Sequence, residues 1–351
     1  MNNGFNQDGQ FGGWSPSPYG NGAEMYNEQY LKFVQKKQEK EKIKKISSKC
    51  FLAVIMYVLI SYSLSFLIVG ISWVFPSISK IYNEALPSLA FEIILTFLAI
   101  GVPFFVIYLI FRNEKIAKDL PFGTTYNREV AINLVMVCLP LMVLSAIAIN
   151  YASAFLQEIL GLEFTSSVSD ISLKGMKETL FGVLSMAVVP ALIEETVIRG
   201  IVLQPLRKYG DKYAIIASAL LFAVMHGNMV QIPYTVIGGL ILGFLAVTTE
   251  SLWPSIILHF INNFYSVIVL SVSDNFGDTA STIVTVIMLL AFAVVGVIGA
   301  INLSKMKYKV TFEKGNSLLT VGEKVVASVK NGPALVALVL LALITISNIN
   351  F

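Results

Sequence analysis

Residues Val188 to Val202 read VVPALIEETVIRGIV, an almost wholly apolar run that sets Glu194, Glu195 and Arg199 side by side. On a helix, residues four apart share a face, so Glu195 and Arg199 can pair while Glu194 points about 100° away. In water such a cluster is ordinary. In hydrocarbon each charge is expensive, and ionisable groups there default to a functional role with a named partner. The solvent around this run therefore decides both fold and chemistry.

Composition answers the question. The chain has 351 residues, of which 56% are hydrophobic and 13% charged, and its mean hydropathy is +0.73. Soluble domains carry about 25% charged residues. Several stretches approach or exceed the roughly 20 apolar residues that cross a hydrocarbon core of about 30 Å. The fold class is all-α, a polytopic protein lying in a bilayer, with spans expected near 50–75, 89–111, 129–152, 177–204, 212–227, 230–248, 252–271 and 280–303. A shorter apolar helix near 333–348 either crosses a ninth time or lies on the surface. Cys50 and Cys138 fall at the start of the first span and inside the third, which predicts no disulfide framework. The net charge of +3 is too small to point to nucleic acid.

Four segments follow from composition: 1–48, a tail plus a basic juxtamembrane stretch; 49–155, the first helices; 175–271, which holds the polar clusters; and 272–351, an eighth span, polar linker and apolar end. Residues 1 to 29, rich in Asn, Gln, Gly and Pro, are expected to be disordered. The lysine-dense stretch YLKFVQKKQEKEKIKKISSK, residues 30–49, places Leu31, Val34, Ile43 and Ile46 at roughly helical spacing and predicts a helix touching anionic lipid. Because polar residues precede the first apolar run, that run is expected to be a retained anchor. Lysine and arginine recur in every second connection: Arg112, Lys115, Lys118 and Arg128; then Arg207, Lys208 and Lys212; then Lys305, Lys307 and Lys309. The intervening connections, with Lys80 and Glu84, then Glu158, Glu163, Asp170 and Lys174, then Asp274 and Asp278, are sparse or acidic. This alternation predicts a cytoplasmic N-terminus.

The chain has two histidines, and both follow the Glu pair. In LFAVMHGN, Phe222 and His226 share a helical face; in ILHFINN, so do His259 and Asn263. Pro190 removes a backbone hydrogen bond one turn before Glu194 and is expected to kink the helix and open space for water. A carboxylate can take a proton from water, an imidazole can orient that water, and an imidazole with a carboxamide can donate to a developing oxyanion. These are parts for hydrolysing a peptide bond without a covalent intermediate. Gly239 and Gly243 form a small-xxx-small spacing and predict close helix packing.

The succession Glu194-Glu195-x-x-x-Arg199, Phe222-x-x-x-His226 and His259-x-x-x-Asn263 resembles the CAAX protease and bacteriocin-processing family of intramembrane proteases, also called the Abi domain. The resemblance covers about residues 175 to 271. It implies that Glu194 is the general base, that His226 helps hold the water, that His259 and Asn263 form the oxyanion site, and that Glu195 and Arg199 complete the polar core. It also implies an integral protein of a bacterial plasma membrane acting on a peptide or membrane-protein substrate. Likeness to eukaryotic members of the family favours a mechanism without a metal. Zinc held by Glu194, His226 and His259 is the alternative, because two His and one Glu form a hydrolytic zinc set. A non-catalytic regulator of a membrane sensor kinase, a bacteriocin-immunity protein and a proton-relaying transporter are the rival readings.

Overall fold

The computed structural model describes residues 20–77, 81, 84–116, 119–123, 125, 127–164 and 172–350. Its helices are α1 (Gly20–Val74), α2 (Ala85–Asn113), α3 (Arg128–Leu160), α4 (Met176–Arg207), α5 (Asp211–Met225), α6 (Gln231–Thr248), α7 (Trp253–Phe276), α8 (Asp278–Lys305), α9 (Val321–Val329) and α10 (Gly332–Ser347). Among the described residues the β-structure is one antiparallel pair of two-residue strands, β1 (Glu163–Phe164) and β2 (Ile349–Asn350). Seven helices are long and apolar enough to cross a membrane, and α9 with α10, bent by 80° at their junction, makes up to eight. The all-α polytopic architecture is as composition requires.

Two expectations are corrected. The span foreseen at 212–227 is α5, only 15 residues, or about 22 Å at 1.5 Å per residue, against a hydrocarbon core of about 30 Å. It stops where Gly227 turns left-handed, φ +57°, a conformation that ends helices readily when the residue lacks Cβ. The second correction concerns the tail. Residues 1–19 lie outside the described residues, but α1 begins at Gly20 and so enters the stretch expected to be disordered, because extending a helix that already exists is far easier than nucleating one. Within the lysine-dense stretch Ile43 and Ile46 are 0% and 2% exposed and join a core with Leu319 and Ala327, while Leu31 is 52% exposed. Lys80, Lys118 and Asp170 lie outside the described residues.

Small residues set the packing distances. A Cβ built on Gly239 would stand 3.0 Å from Ala219, and one on Gly243 would stand 3.2 Å from Ile215, so α5 and α6 run antiparallel in close contact as the glycine spacing predicts. Arg207, just before α5, pairs with Glu250, just after α6, at 2.8 Å. The hairpin therefore enters and leaves at one end, and the alternation of basic connections survives the short helix. On α8, Ile283, Ile287, Leu290, Val294 and Val297 are each more than half exposed, forming an outward apolar stripe. The opposite side of α8 meets α3, where Asn302 Nδ2 donates to Asn133 Oδ1 at 3.0 Å.

The connections sort by charge to the two ends of the bundle. At one end Lys45 and Lys49 pair with Glu114, Lys40 pairs with Glu323 at 3.4 Å, and Asn331 reaches Ser47. The Lys49 and Lys45 ammonium groups hold the Glu114 carboxyl below the usual carboxylate range. At the other end the Leu173 amide donates to Asp274 at 2.6 Å and the Gly175 amide to Asn275 at 2.9 Å. If lysine excess marks the cytoplasmic side, single cysteines placed at positions 40 and 314 will react with an impermeant maleimide only after cells are opened. Strong labelling of intact cells at either position would reverse the orientation.

Candidate active site

Helix α4 carries the Glu pair on an irregular backbone. Two π-helical turns, Val183–Val188 and Thr196–Val202, bracket the α-helical segment Val189–Glu195. A π turn accommodates an extra residue and re-aims the side chains that follow, and such turns recur at functional sites. Pro190 contributes directly. It has no N–H to give the carbonyl of Met186, four residues earlier, and Asn263 Nδ2 of α7 donates to that carbonyl at 3.1 Å. The expected disruption at Pro190 thus appears as a backbone acceptor offered to a neighbouring helix.

Glu195 is the hub. Its Oε1 accepts from Arg199 at 2.9 Å and from His259 Nδ1 at 2.9 Å, while Arg199 also donates to the carbonyl of Gly239 at 3.2 Å. Glu195 and Arg199 are both 0% exposed. The i,i+4 pairing is the one the sequence predicts; the bond to His259 joins helices distant in sequence. Phe222 roofs the pair. Its ring lies 4.7 Å from the Arg199 guanidinium and meets His226 edge-on at a centroid distance of 4.7 Å.

Glu194 differs from its neighbour in every respect. Its side chain keeps 17% exposure, and His259 Nε2 stands 3.8 Å away, beyond hydrogen-bond length. His226, at the C-terminus of α5, uses Nδ1 on the Phe222 carbonyl at 2.9 Å. Because a carbonyl only accepts, Nδ1 carries the proton and the neutral ring leaves Nε2 as an acceptor. His259 is oriented in the same sense, Nδ1 toward Glu195 and Nε2 toward Glu194.

Glu194, His226, His259 and Asn263, brought from three helices, line one cavity of about 310 Å³. Glu195 and Arg199 stand behind its wall. Residues that the sequence analysis did not single out complete it. Glu92 and Thr96 come from α2, where a further π turn spans Thr96–Gly101, and Tyr234 comes from α6. A smaller adjoining space of about 180 Å³ brings Tyr57 of α1 and Gln231 beside Glu194 and His226. For Glu92 a signal existed: it is an ionisable residue inside the span 89–111, the feature that singled out Glu194. Tyr57 and Tyr234 give none, since tyrosines in membrane helices have no distinguishing pattern.

The donor types for zinc are present, but among the described residues no three His, Cys, Asp or Glu side chains come together as a ligand set. Glu194, His226 and His259 as placed do not fit a bound ion.

Set against known families, residues 176–265 match the family model described as Type II CAAX prenyl endopeptidase Rce1-like. The matched segment is similar to that family and contains all six residues of the constellation, Glu194, Glu195, Arg199, His226, His259 and Asn263. About a quarter of the chain is covered, and α1, α2, α3 and everything after α7 lie outside the match. No curated protein and no solved structure matches the chain.

The two glutamates should respond differently to neutralisation. Glu195→Gln removes one partner from a fully buried charge cluster, a loss of about 3–5 kcal/mol, and should lower the thermal midpoint in detergent by several degrees. Glu194→Gln, at a partly open position, should leave that midpoint within about a degree or two of wild type. The reverse ranking would show that Glu194 is the structural carboxylate.

Proposed function

We propose that the protein is an intramembrane endopeptidase in which Glu194 activates the hydrolytic water. The observation that supports this most directly is the separation of duties between adjacent carboxylates: Glu195 is buried and its Oε1 is held by Arg199 and His259, while Glu194 faces the shared cavity without a hydrogen bond among the described residues.

In this reading a water sits between Glu194 and His226. His226 Nε2 accepts one water hydrogen, and Glu194 takes the other proton as the oxygen attacks the scissile carbonyl. The developing oxyanion meets Asn263, whose Nδ2 has one hydrogen on Met186 and a second left for it. His259, when protonated, adds Nε2–H, and the Glu195 carboxylate at Nδ1 stabilises that imidazolium. The proton held by Glu194 then goes to the leaving amine, and the bond breaks. No metal is needed for any step. The substrate is a peptide or a membrane-associated protein able to enter the bundle, and the Rce1-like match supports that class.

Comparative terminal proteomics of membranes from wild type and Glu194→Ala should reveal new termini present only in wild type. If the two sets of termini coincide while the protein is present and folded, a non-catalytic role in regulation or immunity replaces the protease reading. For a cognate substrate, Glu194→Gln and His226→Ala should each lower kcat by at least 10².

Metal dependence has its own test. Activity of purified protein should survive strong chelation. Loss of activity followed by rescue with zinc would establish a zinc-bound water and overturn the metal-free route.

A further inference from the structure

Resting on the peptidase reading of the cavity, we propose that Glu92 is a specificity-determining residue that receives a lysine or arginine side chain of the substrate, within about four residues of the scissile bond.

Glu92 is half-buried in α2, a helix outside the matched domain, and lines the same cavity as Glu194. Among the described residues it has no hydrogen-bond or ion-pair partner. That isolation is what a structural role would not produce. The structural carboxylate of this bundle, Glu195, has two partners and no exposure. A carboxylate kept in an apolar bundle without a partner leaves a large electrostatic gain available to whatever cation arrives.

The surrounding groups make a cation the fitting occupant. Three carboxylates, Glu92, Glu194 and Glu195, meet one guanidinium, Arg199, and that guanidinium is engaged by Glu195 and covered by Phe222. Both imidazoles have Nδ1 committed, His226 to a carbonyl and His259 to Glu195. The remaining polar groups on this wall, Thr96, Ser185, Gln231, Tyr234, Thr235 and Asn263, are neutral. Even with His259 as the imidazolium of the proposed mechanism, three carboxylates face two cations, so an ammonium or guanidinium group supplies the missing counter-charge, and its hydrogen bonds to a carboxylate are of the strong, charge-assisted kind.

Helix geometry sets the spacing. The segment Ala85–Leu95 packs on Met176–Val188 and the π turn Thr96–Gly101 on Val189–Glu195, so α2 and α4 run parallel. At Gly101 the two helices are level with Ile193, whose Cγ2 would lie 3.9 Å from a Cβ built there. Glu92 is nine residues earlier, about 13 Å along the axis from the level of Glu194. An extended substrate advances about 3.4 Å per residue, so that distance is covered in about four residues.

The test uses purified full-length protein in detergent and a library of internally quenched decapeptides. At each of the four positions on either side of the cleaved bond the library carries Lys, Gln or Glu. Wild type should prefer Lys over Gln at least tenfold at one position within that window. Glu92→Gln should erase the preference through KM, Glu92→Asp should retain most of it, and Glu92→Lys should shift it toward Glu. A second readout needs no turnover: octylamine, but not octanol, should raise the thermal midpoint of wild type and of Glu194→Gln, and should leave Glu92→Gln where it was. A Lys preference that persists in Glu92→Gln, no Lys preference in wild type, or equal octylamine shifts in wild type and Glu92→Gln each overturns the proposal. If wild type cleaves no peptide while the octylamine shift still requires Glu92, the peptidase reading fails and the cation subsite stands.

Discussion

Everything in the polar interior depends on one oxygen, Glu195 Oε1, which accepts from Arg199 and from His259 at the same distance of 2.9 Å. Two of those groups sit four residues apart on α4 and the third on α7, with Arg199 reaching on to the Gly239 carbonyl of α6. A single carboxylate therefore sets how three helices are rotated against one another. Buried ionic clusters seldom add net stability over apolar residues of the same shape. Their worth here is orientation. His259 can present Nε2 to the cavity only because Nδ1 is held, and Glu194 is left open only because its neighbour takes the cation.

The backbone around that oxygen is irregular on both sides of the Glu pair. In α4 the π turns fall immediately before and after the segment bearing the Glu pair, and the π turn of α2 packs against the same segment. Helical hydrogen bonding normally hides every backbone carbonyl from neighbouring helices, which a bilayer demands. Pro190 frees the Met186 carbonyl, and Asn263 satisfies it. One imino acid thus both interrupts α4 and fixes the carboxamide of α7.

The matched domain does not enclose its own cavity. Glu92, Thr96 and Tyr57 enter from α2 and α1, and α1 is tied in turn to the C-terminal region through Lys40 with Glu323, Glu39 with Ser317, and Asn331 with Ser47. The chain closes on itself at its far end as well, where β2 pairs with β1 and Asn348 Nδ2 donates to the Gly227 carbonyl beside His226. Elements outside the matched segment therefore line the cavity that holds Glu194.

Local spacing carries a large share of this. Apolar content alone demands helices in a bilayer, and the positions of Glu195 and Arg199, or of Phe222 and His226, on one helical face follow from 3.6 residues per turn. Glu194, His226, His259 and Asn263 are legible from the sequence alone as polar groups set in apolar spans. What periodicity does not encode is the rotation and depth of one helix relative to another. Glu195 and His259 are 64 residues apart, and nothing in either segment names the other. For the same reason the sequence hides the partner of Ile43 and Ile46, which lies on the C-terminal side of the chain. Glu92 is legible as an ionisable residue in a span, but that it shares a cavity with Glu194 is decided only when α2 is laid parallel to α4. A helix's own hydrogen bonds are closed within a few residues and so are written in sequence; contacts between helices are chosen by the packing of whole faces, which exists only once the bundle has formed.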